Sequence, residues 1–113
     1  MHEMALAQGM LEIVEATARR EGASRVTQVR LEIGTLSHVA ADALRFCFDA
    51  VTRGSLAEGA ELAIDDVPGE AWCMPCGGTV PLARLGDACP RCGSYQLAVT
   101  SGSEMRVKDI AIA

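Results

Sequence analysis

Four of the five cysteines fall into two matched pairs, Cys73-Met-Pro-Cys76 and Cys89-Pro-Arg-Cys92, with twelve residues between them. Each pair can set two thiolates on one edge of a tetrahedron, so the C-x2-C…C-x2-C arrangement points to a metal held by four sulfurs. Such a site has no open position for water or substrate, and a structural zinc is expected over a catalytic one. A rubredoxin-like iron centre uses almost the same knuckles and stays open at this point. Gly77 and Gly93 follow the two pairs, where the chain must turn tightly and bring backbone N–H groups to the sulfurs, and Gly78 is expected to loosen the first turn further. The fifth cysteine, Cys47, lies at helical core spacing in Leu44-Arg-Phe-Cys47-Phe48-Asp-Ala-Val51 and reads as a small buried apolar side chain.

A second group that could do chemistry is Met1-His2-Glu3. A histidine at a helix start is commonly a solvated residue on a frayed end. A methionine before histidine is expected to be kept, however, because aminopeptidases remove it where the second residue is small. The Met1 amine, His2 amide and His2 imidazole then close a five- and a six-membered chelate ring in one plane. Square-planar nitrogen coordination suits Ni(II) and Cu(II). The fourth ligand, opposite the amide, is left to the Glu3 carboxylate, water or a partner's side chain; alternatively the Glu3 amide replaces the Met1 amine. A site with a replaceable ligand suits transfer better than storage.

Composition narrows the partners. Ten basic and fifteen acidic side chains give a net charge of −5, which argues against neutralising nucleic-acid phosphates. No apolar run approaches the ~20 residues of a bilayer span, and the N-terminus lacks the basic-then-apolar order of a signal peptide. Neither nucleic acid nor membrane is expected as a partner, and a cytoplasmic protein is. Five cysteines then read as ligands or buried thiols rather than disulfides. No Gly-rich phosphate loop or Ser/His/Asp order is present, His2 and His38 are the two histidines, and no catalytic residue is assigned. His38 reads as a residue of a loop or helix start.

The elements that must position these groups follow from periodicity. From Met4 to about Arg20, Ala7, Leu11, Val14 and Ala18 recur at helical spacing, flanked by Met10, Ile13 and Thr17, with Gly22 as the stop. Val29, Leu31 and Ile33 alternate with Gln28, Arg30 and Glu32 in a half-buried strand ending at Gly34. Ser37 is the expected N-cap of a second helix carrying Leu44, Cys47, Phe48 and Val51, and Gly54 its stop. Leu62 and Ile64 mark a second strand to about Val67. Met105 and Val107, then Ile110 and Ile112, mark a last strand whose parity changes near Lys108-Asp109. Pro68-Gly69 and Thr100-Ser101-Gly102-Ser103 bracket the cysteine segment. The expected fold is α+β: a small mixed three-stranded sheet with two helices, interrupted by an inserted four-cysteine, zinc-ribbon-like module. Residues 1–68 and 102–113 form one domain and residues 69–101 the other.

Met1-His2-Glu3 with its helix, Leu31-Glu-Ile-Gly34-Thr-Leu-Ser37 before a helix with Phe46 and Phe48, Gly59-Ala60-Glu-Leu62 and the paired knuckles together resemble the hydrogenase maturation nickel metallochaperones, the HypA/HybF family. The resemblance covers essentially the whole chain. It implies nickel at His2, with Met1 and Glu3 beside it, and zinc at Cys73, Cys76, Cys89 and Cys92. It also implies delivery to the large-subunit precursor of a [NiFe] hydrogenase with a HypB-type maturation GTPase, by a monomer or weak homodimer. Some members carry histidines just after the CxxC pairs; here those neighbourhoods hold Gly78 and Ser94, so a histidine-dependent zinc switch and a link to urease are not expected. The competing readings are a rubredoxin-like electron carrier and a zinc-ribbon adaptor that binds proteins only. Neither needs a Met-His terminus.

Overall fold

The computed structural model describes residues 2–113. The chain runs α1 (Glu3–Arg20), β1 (Val26–Gly34), α2 (Ala41–Thr52), β2 (Glu61–Val67), β3 (Glu70–Cys73), β4 (Gly78–Pro81), β5 (Leu97–Ser101) and β6 (Met105–Ile112). Two three-stranded sheets result, ordered β2-β1-β6 and β4-β3-β5. The two helices and three-stranded sheet expected from periodicity are present, and the cysteine segment brings a second small sheet. The chain forms two compact units, one of residues 1–31, 39–65 and 106–113, the other of residues 32–38 and 66–105. No helix among the described residues is long and apolar enough to cross a membrane.

In the first unit α1 and α2 pack on each other. The buried stripe of α1 is Glu3, Ala7, Met10, Val14 and Ala18, which follows the 3.6-residue period. Met10 therefore takes the inward place read for Leu11, which is half-buried, and Ile13 stays 53% exposed. Gly22 ends the helix as expected: at φ 70° it lets its own N–H reach the Arg19 carbonyl and the Ala23 N–H reach Ala18. β1 is the central strand of the first sheet, with Val29, Leu31 and Ile33 buried in alternation. Arg30, pointing the other way by that alternation, lies 3.8 Å from Asp65 and 3.6 Å from Asp109, and Lys108 lies 3.7 Å from Asp65. These exposed cross-strand pairs contribute little individually.

The start of α2 differs from the sequence reading. Ala40, not Ser37, is the N-cap. Ser37 closes the preceding turn instead, its hydroxyl and its N–H both donating to the Gly34 carbonyl at 2.7 and 3.1 Å. His38 adopts φ 60°, placing it in the loop. Leu44 and Phe48 are buried, Cys47 and Val51 half-buried, and Phe46 is 74% exposed, so Cys47 stands at the margin of the core rather than inside it.

The second unit is organised by a backbone crossing. Gly34 donates to the Glu104 carbonyl at 2.7 Å, Thr35 to Val67 at 2.9 Å and Leu36 to Gly102 at 2.8 Å. A Cβ on Gly34 would collide with the Gly102 carbonyl, and one on Gly69 with the Leu82 carbonyl. Gly102, at φ 99°, lies against Gly69 in turn. Leu36, Ala71 and Leu82 pack beside the crossing, with Leu97 against them.

Gly34→Ala is expected to destabilise this unit by about 2–3 kcal/mol, because the methyl meets backbone that cannot swing aside. Gly9 lies in α1 with open space around its Cα. Gly9→Ala should therefore stabilise the helical unit by roughly 1 kcal/mol. Urea denaturation followed by Trp72 fluorescence for the first variant and by helical circular dichroism for the second measures both.

Candidate metal centres

The two knuckles are built alike. Cys73 ends β3, and Gly77, at φ 64°, turns its N–H onto the Cys73 carbonyl at 2.8 Å. In the second knuckle Gly93, at φ 78°, does the same to Cys89 at 2.9 Å. Both turns require a residue in the left-handed region, which glycine occupies without steric cost. Gly78 plays no such part: it opens β4 and pairs with Cys73 across the sheet.

The pairing of β3 with β4 and β5 fixes the first knuckle against the second. Cys73 is opposite Leu97 in β5, and the Met74 N–H donates to the Gln96 carbonyl at 3.1 Å. Cys89 is anchored through its own N–H to the Ser94 carbonyl at 2.8 Å. Cys73, Val80 and Cys89 share one small core with Leu97 against it. Two sulfurs are thus on buried residues, and the other two, of Cys76 and Cys92, on exposed ones.

All four Sγ atoms lie within 4.8 Å of one another. Cys73 and Cys92 are 3.6 Å apart and Cys76 and Cys89 3.9 Å. A tetrahedral ion with ~2.3 Å metal–sulfur bonds has edges of about 3.8 Å, so the donor set fits one four-coordinate ion. Among the described residues, these cysteines form the group of His, Cys, Asp or Glu side chains able to hold a metal.

The electrostatics of the cluster favour a cation. Burial raises the Cys89 thiol, but the N–H groups of Cys92 and Arg91 and the thiols of Cys73 and Cys92 outweigh it and bring the pKa to about 6. Arg91 N–H lies 3.4 Å from the Cys89 sulfur. Cys76 is pushed up to about 12 by the thiols of Cys92 and Cys73, by burial and by Cys89. At Cys73 the Cys76 N–H favours the thiolate, yet burial and the Cys92 and Cys89 thiols drive the pKa upward. The Cys89 sulfur is prepared as an anion while Cys73 and Cys76 are driven toward their protonated forms, because thiolates this close repel each other. A divalent ion removes that conflict and takes all four as thiolates.

The N-terminal group belongs to the other unit. His2 is exposed at the N-cap of α1 and makes no capping hydrogen bond with its side chain. Its carbonyl receives the Leu6 N–H at 3.0 Å, the first rung of the helical ladder. The amides of His2 and Glu3 precede that rung, in the stretch where helix N–H groups have no carbonyl one turn back. Glu3 is 8% exposed, and its Oε2 accepts the Ala40 N–H at 3.3 Å. Met1, read as a third contributor, lies outside the described residues. Sequence reasoning missed Arg91, Ser94 and Ala40, which act through backbone atoms that no residue type announces.

A family model described as "Hydrogenase/urease nickel incorporation, metallochaperone, hypA" matches residues 1–112. Hydrogenase maturation factor HypA from Dechloromonas aromatica is 61% identical over 99% of both chains. The protein designated Hydrogenase maturation factor HypA 1 of Bradyrhizobium diazoefficiens is 54% identical over the same shares. The solution structure of the Ni metallochaperone HypA from Helicobacter pylori superposes with a TM-score of 0.73 at 25% identity, covering 99% of this chain and 97% of that one.

Replacing Cys73 by Ser removes a buried sulfur from the four-donor set and is expected to abolish metal retention there and unfold the second sheet. Both helices lie in the other unit. Helical circular dichroism should therefore stay within roughly a tenth of wild type while the metal content of purified protein falls to near zero.

Proposed function

The chain belongs to the HypA family of nickel-incorporation metallochaperones for hydrogenase maturation, and from that premise we propose that it carries Ni(II) on His2 at the start of α1 and holds zinc at its four cysteines for structure alone. The observation that carries this reading is the place of His2. Its imidazole is exposed, and its amide stands ahead of the first helical rung. A metal can take that amide nitrogen without breaking the ladder, and the positive end of the helix favours the anion that coordination creates. Imidazole and amide close a six-membered ring in the plane that Ni(II) prefers. The Met1 amine or the Glu3 amide supplies a further nitrogen, and the fourth place is left open to the Glu3 carboxylate, water or a partner's side chain.

In this reading residues 1–68 and 102–113 are the nickel-binding domain and residues 69–101 the zinc-binding domain. Zinc suits the four-thiolate set because the site is closed and needs no redox change. Nickel is cargo: it enters through replaceable ligands and leaves toward the large-subunit precursor of a [NiFe] hydrogenase, with a HypB-type GTPase as the docking partner. The transfer exchanges ligands and makes or breaks no covalent bond of a substrate, so the protein is a carrier, not an enzyme, and it works in the cytoplasm beside the precursor.

His2→Ala is expected to abolish nickel binding, measured by titration of tag-free protein, and to leave zinc content and thermal unfolding nearly unchanged, since an exposed first-turn side chain contributes little to stability. The nickel complex should be yellow, as low-spin square-planar Ni(II) is, and should weaken on acidification because the coordinating nitrogens must be free of protons. Residues added before Met1 should lower the affinity if the amine is a ligand; unchanged affinity assigns its place to the Glu3 amide. A red-brown preparation with a reversible one-electron couple would instead establish iron at the cysteines.

A further inference from the structure

Glu3 stands next to the proposed nickel ligand, and its carboxylate also reaches the start of α2. The residue is 8% exposed, and a carboxylate taken that far out of water needs hydrogen-bond donors. One is the N–H of Ala40, 3.3 Å from Oε2. Ala40 is the N-cap of α2, with extended backbone (φ −81°, ψ 112°) and no side-chain oxygen to cap the helix.

Helices commonly solve this problem locally. A Glu or Gln at the third helical position reaches back to the N–H of the N-cap residue. In α2 that position is Ala43, which has nothing to reach with. The missing acceptor comes from Glu3, thirty-seven residues earlier in the chain. Its charge sits at the positive end of α2, where a carboxylate is stabilised, and both residues belong to the same compact unit.

Resting on the nickel reading above, we propose that Glu3 is a positioning residue whose carboxylate ties the first turn of α1 to the N-terminus of α2, and that this grip, rather than coordination, is its contribution to the metal site. Its neighbour His2 is the last residue before the helix and is exposed. With Glu3 held, the direction in which the His2 amide and imidazole leave α1 is fixed. To bind nickel the carboxylate would have to leave or share the Ala40 N–H. Bound to the same ion as its own amide, it would also close a seven-membered ring, less favourable than the five- and six-membered rings available to the amine and imidazole. The Glu3 amide alone remains as a donor.

Three proteins separate a grip from a ligand: wild type, Glu3→Ala and Glu3→Gln. The glutamine keeps an oxygen able to accept the Ala40 N–H but is a poor ligand for nickel. In metal-free protein, amide exchange at Ala40 should accelerate about tenfold in Glu3→Ala and return close to wild type in Glu3→Gln. Nickel affinity should follow the same order, falling about tenfold in the alanine variant and being rescued by glutamine, while the visible spectrum at saturation stays that of wild type in both. The proposal is overturned if glutamine loses as much affinity as alanine, or shifts the spectrum, while Ala40 remains protected; the carboxylate is then a ligand. It is equally overturned if Ala40 exchange is the same in all three. Should His2→Ala bind nickel like wild type, the N-terminal metal site itself fails, and the Ala40 measurement still reports on the grip alone.

Discussion

The inserted module depends on a close backbone approach. The chain leaves the first sheet after Val67, makes the metal-bearing knuckles and comes back at Met105. Outgoing and returning segments both pass the end of β1, and they meet it at three glycines, Gly34, Gly69 and Gly102, where any Cβ would strike neighbouring backbone. The hydrogen bonds of Gly34, Thr35 and Leu36 to Glu104, Val67 and Gly102 are possible only at that separation. They satisfy backbone groups at the crossing together with the side chains of Thr35 and Glu104, which accept the N–H groups of Gly69 and Gly102. The packing of Leu36 with Ala71 and Leu82 follows from the same approach, and so does the start of β3, whose neighbour Gly69 accepts the Leu82 N–H at 2.9 Å.

From that crossing the cysteine cluster is one short strand away, because β3 runs from beside Gly69 to Cys73. Beyond the small groups built on Leu36 and on Cys73, the second sheet has little apolar material. Trp72 of β3 is 42% exposed, and Tyr95, in the loop before β5, is 76% exposed. A sheet of four- and five-residue strands with so small a core is marginal in water without a staple. The four sulfurs supply one. Their protons are in mutual conflict, with Cys89 brought to about 6 while Cys76 is pushed up to about 12. An ion that accepts all four thiolates converts this repulsion into attraction, and its binding free energy becomes folding free energy for the strands around it.

How far the sequence could be read depended on whether the signal lay in side chains or in backbone. The cysteine pairs were legible because tetrahedral geometry demands that spacing, and Gly77 and Gly93 because the knuckles demand left-handed turns; Gly78, a strand residue, shows that glycine beside a turn need not be part of it. The α1 stripe was legible to within one residue, Met10 replacing Leu11, since both are apolar and only the exact phase of the helix separates them. The start of α2 was not legible. Ser37 has the right chemistry for a cap, but its hydroxyl is held by the Gly34 carbonyl in a turn imposed by the crossing. The residue that does serve α2 is remote in sequence, and nothing about a glutamate at position 3 announces a partner at position 40. The strands β3 to β5 escaped for a related reason: four or five residues are too few for alternation to rise above chance.

Helix beginnings are the common thread of the first unit. An α-helix starts with N–H groups that lack an internal acceptor and with a positive end of its dipole, so it offers donors and a favourable field for negative charge. At α2 the offer is answered by the Glu3 carboxylate. At α1 the side chain of the N-cap residue His2 makes no capping hydrogen bond and stands in solvent. In the proposed site a divalent ion with a taste for amide nitrogen would be a different answer to the same need: it would replace the amide proton, and the negative charge left on nitrogen would be stabilised by both the ion and the helix. Such a site costs the fold nothing when empty, because no rung of the ladder depends on it, and a carrier must be stable both loaded and unloaded. The rigid part of the arrangement is the buried Glu3, one residue further in. The exposed part is His2, the proposed ligand, where exchange with a partner would have to occur.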